Sequence, residues 1–481
     1  MAAPEHTDVL RTPEAGGRVI RGGAIRGAGY GAGILLAAGT SVLLLRYLGV
    51  VDFGRYATVA ALLGIVSGIT DAGLTAVGAR ELAVRAPADR AVVLRNLVAL
   101  RLIVTPMGVG AAVLFALAAG YDSTVVYATL LGGVGVLLVN TQATMMLPLS
   151  VELRLGAVTA FEVTRSALTL AGVAILVAVG TGLLPFFGVQ VVVGAVILAA
   201  TPLVLQRAGL VPGIDRAVAR MLVHEALPLA AALAMNVVYF RVLVILTSLL
   251  ASDQATGYFG TSFRIFEVLF GLPLLVLSVA LPVLSVAGHE DEERLRYSLQ
   301  RVTEVALLLS VLLVLVIVAV AEPAIVFLAG DDFRGAAPVL QIQAVALIPV
   351  FLGQTWQLAL VSIRRQSALA WATGTALVLV IALGLALIPT YGATGAAVAA
   401  VVAESVLALL LLGFLHRLRP AVMPSFGFVP RVALAGMLAT PFLFAPISGV
   451  ASAAAAAVVY VAVVYVAGVL PPELIAAFRS R

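Results

Sequence analysis

A chain of 481 residues in which 62% are apolar and only 11% charged, at mean hydropathy +1.14, excludes a soluble globular protein, whose charged share alone reaches about 25%. Its formal charge of +5 would suit a nucleic-acid binder if the arginines formed one basic patch, but they are dispersed among short segments between apolar runs. The absence of cysteine removes disulfides, thiolate metal sites and a cysteine nucleophile, and because all 29 basic residues are arginine a Walker-type phosphate loop is excluded as well.

Residues 1–22 are polar, carry Pro4, Pro13 and the Gly16-Gly17 pair, and lack the apolar core of a signal peptide. They predict a disordered cytoplasmic tail before a retained first helix. About 20 apolar residues cross the hydrocarbon. Windows of that kind fall at 24–45, 56–77, 96–119, 124–147, 157–179 and 184–205, then at 226–250, 257–286, 302–329, 336–361, 369–388 and 392–415, and last at 432–447 and 450–470. The expected fold is an all-α polytopic membrane protein of about fourteen transmembrane helices. Its expected organisation is the tail, a six-helix lobe at 23–206, a cytoplasmic linker at 207–225, a second six-helix lobe at 226–416, and two additional helices with a tail at 417–481.

The two lobes read as copies. LPFFG at 184–188 returns as IPTYG at 388–392, AAGYD ending at Asp122 returns as LAGDD ending at Asp332, Arg154 is matched by Arg364, and Gly54 by Gly257. The offsets, 204, 210, 210 and 203, are nearly constant. With the amino terminus inside, 22 of the 29 arginines fall in inner segments, Arg46, Arg55 and Arg334 in outer loops, and four within spans, the bias expected of cytoplasmic loops. Both termini are then cytoplasmic. Six being even, the repeats are parallel, an arrangement that suits a transporter with its substrate cavity between the halves.

Ionisable groups within spans are costly, about 2.5–3.5 kcal/mol each at a helix centre on insertion scales, and mark cavities or partners. They are Asp71, Arg101, Glu162, Arg165, Arg241, Arg264, Glu267, Glu322 and Glu404. Glu162 with Arg165, and Arg264 with Glu267, have the i,i+3 spacing of helix-face ion pairs. Arg241 and Arg264 present the paired donors that suit phosphate or carboxylate, although Arg241 could instead snorkel to the outer interface. Asn140, Gln142, Asn236, Gln341, Gln343, Gln354 and Gln357 would line a cavity, where they could meet sugar hydroxyls, or bond between helices. Phe259, Phe263, Phe266 and Phe270 form a stripe that is read as lipid-facing or packing. The four histidines are scattered, so no metal site or cofactor is expected. Asp331-Asp332 could suggest the acidic pair of a glycosyltransferase, but no large external loop accompanies it, so the chain is read as a non-enzyme.

Taken together, LRYLGVVDFGRYATV at 44–58, TDAGL at 70–74, YFRVLVIL at 239–246, ATGYFGTSFRIFEVLFGLPLLVLSVALPVLS at 255–285 and GDDFRGAAPVLQIQA at 330–344 resemble the polysaccharide-biosynthesis flippases of the multidrug/oligosaccharidyl-lipid/polysaccharide exporter superfamily. The resemblance implies a flippase, and the replacement of every lysine by arginine, with abundant alanine, glycine and valine, points to a GC-rich bacterial genome and so to a bacterial plasma membrane. Such a flippase would move a polyprenyl-pyrophosphate-linked oligosaccharide from the cytoplasmic to the outer leaflet by alternating access. The resemblance maps a positive substrate cavity onto Arg264 and Arg241, with Glu267 beside them and Arg26 near the inner mouth. Many relatives place an aspartate two residues after the position of Arg241, where this chain has Leu243, which leaves Arg241 without that partner. Coupling or cavity roles fall to Glu404, Asn236 and Gln357. Expected partners are the lipid-linked oligosaccharide, membrane lipids, a polysaccharide polymerase and glycosyltransferases, with no nucleic acid. Two alternatives share the fold: a cation-coupled multidrug exporter, which would carry acids in its first helix where 24–45 has none, and a lipid-II-type peptidoglycan precursor flippase.

Overall fold

The computed structural model describes residues 14–71, 73–205, 211–273, 292–363, 365–445 and 448–469. The features expected at Arg207, Pro282, His289 and Arg364 lie outside the described residues, as does the tail before residue 14.

The helices in chain order are α1 (Glu14–Asp71), α2 (Leu74–Val84), α3 (Pro87–Ala118), α4 (Ser123–Met145), α5 (Leu147–Val151), α6 (Leu155–Val179), α7 (Leu184–Leu205), α8 (Arg216–Leu250), α9 (Asp253–Phe270), α10 (Glu292–Ala329), α11 (Ala336–Val345), α12 (Leu347–Ser362), α13 (Gln366–Leu418), α14 (Val429–Ala439) and α15 (Gly449–Val466). No strand occurs among the described residues. Ten helical segments among them are long and apolar enough to cross a membrane, rather than the fourteen expected. The count drops partly because neighbouring spans run together. The first two expected spans lie on α1, which turns at Gly49 (φ 68°), and the spans at 369–388 and 392–415 lie on α13, which turns at Gly392 (φ 54°). A glycine of positive φ bends the chain without a polar loop. Residues 14–22, expected in the disordered tail, are already helical.

The duplication is visible in the backbone. Gly120 of AAGYD and Gly330 of LAGDD both adopt positive φ, 75° and 100°, where the preceding helix stops. Asp122 then caps α4, its carboxylate accepting from the Val125 amide at 2.8 Å. Both copies also break one span: α4 gives way to α5 at Met146, just before Pro148, and α11 to α12 at Ala346, before Pro349.

The chain divides into two compact units: Met1–Leu48 with Val59–Val237, and Gly49–Thr58 with Val238–Arg481. In the first, α4 packs on α3 and α7, and α6 on α7. One of its cores gathers Leu82, Val93, Leu94, Leu97 and Leu222. In the second, Trp356, Leu360, Ala372, Leu411 and Leu415 join α12 to α13. Here α14 and α15 lie on α10 through Leu307, Leu315, Val432, Ala435 and Val464, and the Tyr460 hydroxyl donates to the Leu308 carbonyl at 3.0 Å.

The second unit takes in ten residues of α1 because glycine allows a very close crossing with α9. A Cβ on Gly54 would stand 2.2 Å from the Asp253 carbonyl oxygen, and one on Gly257 would stand 2.1 Å from that of Val50. Backbone atoms cannot give way as a flexible side chain can. Replacement of Gly257 by alanine is therefore expected to cost about 1–3 kcal/mol, measured as a lower melting temperature in detergent; unaltered melting would mean that the crossing is not tight.

Candidate functional site

The second unit brings three of the expected site residues together. Arg241 comes from α8, and Arg264 and Glu267 from one face of α9. Arg241 Nη2 donates to Glu267 Oε1 at 2.6 Å, and Arg264 Nη1 donates to Glu267 Oε2 at 2.9 Å. One carboxylate thus bridges two guanidinium groups, one oxygen to each. Arg241 does have a partner despite Leu243, because α9 supplies Glu267 from 26 residues away in sequence. Its guanidinium also lies 5.6 Å from the ring centroids of both Phe240 and Phe263, which adds cation–π attraction. Phe240 in turn packs 5.0 Å from Phe263 and from Phe270, centroid to centroid. Tyr56, on the segment carried in from α1, lies within electrostatic reach of Arg264.

These groups sit at the edge of a packed aromatic layer and remain open to approach: the side chains are 24% exposed for Arg241, 24% for Glu267 and 47% for Arg264. Phe259, Phe263 and Phe266 are buried, which identifies the phenylalanine stripe as packing rather than lipid-facing. Glu404, on α13, has the Tyr239 hydroxyl as its side-chain hydrogen-bond partner, and Tyr239 is buried two residues before Arg241 on α8. Gln357 is exposed on α12, Arg26 is exposed on α1, and Asn236 is exposed on α8.

Several of the polar residues bond between helices. Gln343 is buried against the Ser262 hydroxyl. Gln341 donates to the Val318 carbonyl at 3.1 Å, and Gln354 to that of Phe270 at 3.2 Å. Tyr239 and Phe240 were not singled out from the sequence, although they stand directly before Arg241. Glu322 and Asp331 both pair with Arg334, at 2.6 and 2.9 Å, so Asp331 serves an exposed ion-pair cluster. Among the described residues no group of three or more acidic or histidine side chains is placed to hold a metal.

In the first unit Arg101 is 1% exposed, yet four of its five guanidinium donors find acceptors. Nε donates to Thr144 Oγ1 at 3.1 Å, Nη1 to the Thr70 carbonyl at 2.8 Å, and Nη2 to the Asp71 carboxylate and to Thr75 Oγ1 at 3.1 Å. Those four bonds make it a tie between α1, α2, α3 and α4. By contrast Glu162 and Arg165, which have the same i,i+3 spacing as Arg264 and Glu267, form no ion pair among the described residues, and Glu162 is exposed. Arg101→Ala is expected to destabilise the protein by about 2–4 kcal/mol. Arg101→Lys should recover only part of this, because one ammonium cannot reach all four acceptors; thermal melting of the two variants measures both effects.

Solved structures similar to this chain are transporters. The lipid II flippase MurJ in an inward closed conformation aligns with a TM-score of 0.76 at 12% identity, over 92% of this chain and 98% of that one. An inward-facing multidrug resistance MATE family transporter of the MOP superfamily aligns with a TM-score of 0.68 at 16% identity, over 81% and 95%. A MOP superfamily transporter from Pyrococcus furiosus, described for the reverse polarity of its binding pocket, aligns at 0.56 with 16% identity, over 88% and 100%. No curated protein sequence matches the chain. The likeness in structure establishes a multi-pass helical membrane protein with the MurJ- and MATE-like fold. The polysaccharide biosynthesis protein family matches residues 43–338, more than half of the sequence, and the chain belongs to that family.

Proposed function

We propose that this protein is a flippase that carries a polyprenyl-pyrophosphate-linked oligosaccharide, the precursor of a cell-surface polysaccharide, from the cytoplasmic to the outer leaflet by alternating access. The observation that carries the reading is the convergence of Arg241, on the apolar helix α8, and Arg264, on α9, on one carboxylate beside a packed aromatic layer. Guanidinium groups kept beside an aromatic layer favour an anionic headgroup, to which they offer paired donors. They repel a cationic drug, so multidrug export is the weaker reading. Family membership adds the polysaccharide pathway.

Arg264 and Arg241 would hold the pyrophosphate. Arg26, Asn236 and Gln357, all exposed, are available to headgroup and sugar hydroxyls, and Glu404 with Tyr239 to energy coupling. The protein would work in the plasma membrane beside glycosyltransferases that build the lipid-linked sugar and a polymerase that consumes it. A lipid-II-type peptidoglycan precursor shares the pyrophosphate and is favoured by the alignment with MurJ, so the glycan is what experiment must identify.

Depletion of the protein is expected to accumulate a defined oligosaccharide lipid on the cytoplasmic leaflet. Accumulated lipid II would reassign the substrate, and an unchanged lipid profile with heightened sensitivity to cationic dyes would overturn the reading. Arg264→Ala is expected to insert normally and to lose transport by more than about tenfold, since a hydrogen bond to a charged group contributes about 1.5–3 kcal/mol; complementation of the depleted strain at wild-type level would remove Arg264 from the site.

A further inference from the structure

We infer that Glu267 is a resident counter-ion that occupies the anion site of the empty protein and is displaced when the pyrophosphate of the substrate arrives. This rests on the reading above that the arginines take a pyrophosphate, and it assigns Glu267 a role opposite to substrate binding: a positioning residue that competes with the ligand.

The geometry carries the inference. Glu267 divides its two oxygens between the two guanidiniums, Oε1 to Arg241 and Oε2 to Arg264. Two oxygens of a phosphate group would engage the same pair in the same bridging manner. A pyrophosphate has more acceptor oxygens and more negative charge than one carboxylate, so it wins the arginines once it is close, and like-charge repulsion then drives the carboxylate away. Arg241 need not follow, because the rings of Phe240 and Phe263 hold its guanidinium independently of Glu267. The partial exposure of all three side chains gives the ligand access and gives the carboxylate somewhere to go.

The arrangement answers a problem of any alternating-access carrier, which must return empty. Taking the Glu267 charge away from Arg241 and Arg264 would add uncompensated positive charge between α8 and α9 and so oppose that return. Glu267 supplies the missing negative charge in the empty state and yields it in the loaded one. The exchange keeps the local charge closer to balance in both halves of the cycle, at the expense of affinity for the ligand.

The test uses the full-length protein in detergent at fixed ionic strength, with inorganic pyrophosphate as the probe, read by calorimetry and thermal melting. Glu267→Gln keeps the shape and removes the charge; Glu267→Ala is a second neutral variant, and Glu267→Asp retains the charge. The neutral variants are expected to melt lower than wild type without ligand, yet to bind pyrophosphate about tenfold more tightly and to gain more melting temperature from it. Glu267→Asp should remain close to wild type in affinity. A merely structural Glu267 would lower stability and affinity together. Pyrophosphate binding that the neutral variants leave unchanged or weaken, while Arg264→Ala abolishes it, overturns the counter-ion role and leaves the anion site standing. No binding by wild type or by either neutral variant overturns both the inference and the proposed function.

Discussion

The crossing of α1 and α9 at Gly54 and Gly257 is the constraint on which the second unit depends. It is symmetric in sequence as well as in space: Gly54 faces the carbonyl of Asp253 and Gly257 faces that of Val50, and each residue is 203 positions from its counterpart. The duplicated motif therefore packs against its own copy. Only hydrogen in place of a side chain lets two backbones approach so closely. The crossing is sealed by Arg55, whose Nε donates to the Asp253 carboxylate at 3.0 Å, and by Phe53, whose ring lies 6.1 Å from that of Phe333. It also delivers Tyr56 to the neighbourhood of Arg264.

Each unit manages buried or half-buried arginine by its own means. Arg101 is surrounded by Asp71, Thr70, Thr75 and Thr144, which take four of its five donors, and its burial leaves a ligand no approach. Arg241 and Arg264 instead share the Glu267 carboxylate on a partly exposed aromatic surface. The first arrangement ties helices together; the second can exchange its anion. The difference lies in the number and reach of the acceptors supplied by neighbouring helices, since the guanidinium group is the same in both.

Much of this was legible in the sequence, unevenly. The repeated AAGYD and LAGDD segments predicted equivalent helix stops, and Gly120 and Gly330 have the same backbone sign. Arg264 and Glu267 pair as their spacing suggests, because both lie on one continuous helix with a common face. Spacing alone misleads for Glu162 and Arg165, where the exposed Glu162 gains little from a partner. Neighbouring spans run together as one helix because a glycine with positive φ can turn a helix without polar punctuation, as at Gly49 and Gly392. The partner of Arg241 was illegible, since Glu267 reaches it across helices.

By itself the sequence determined a helical membrane protein, its duplication, and which residue types would be found in apolar surroundings, because the cost of burying charge and the length of an apolar run are local properties of the chain. Only the tertiary structure decided which of those charges neutralise one another and which remain approachable. That outcome depends on where α8 and α9 cross and what their neighbours offer, a matter of three-dimensional packing that side-chain spacing along one helix does not encode.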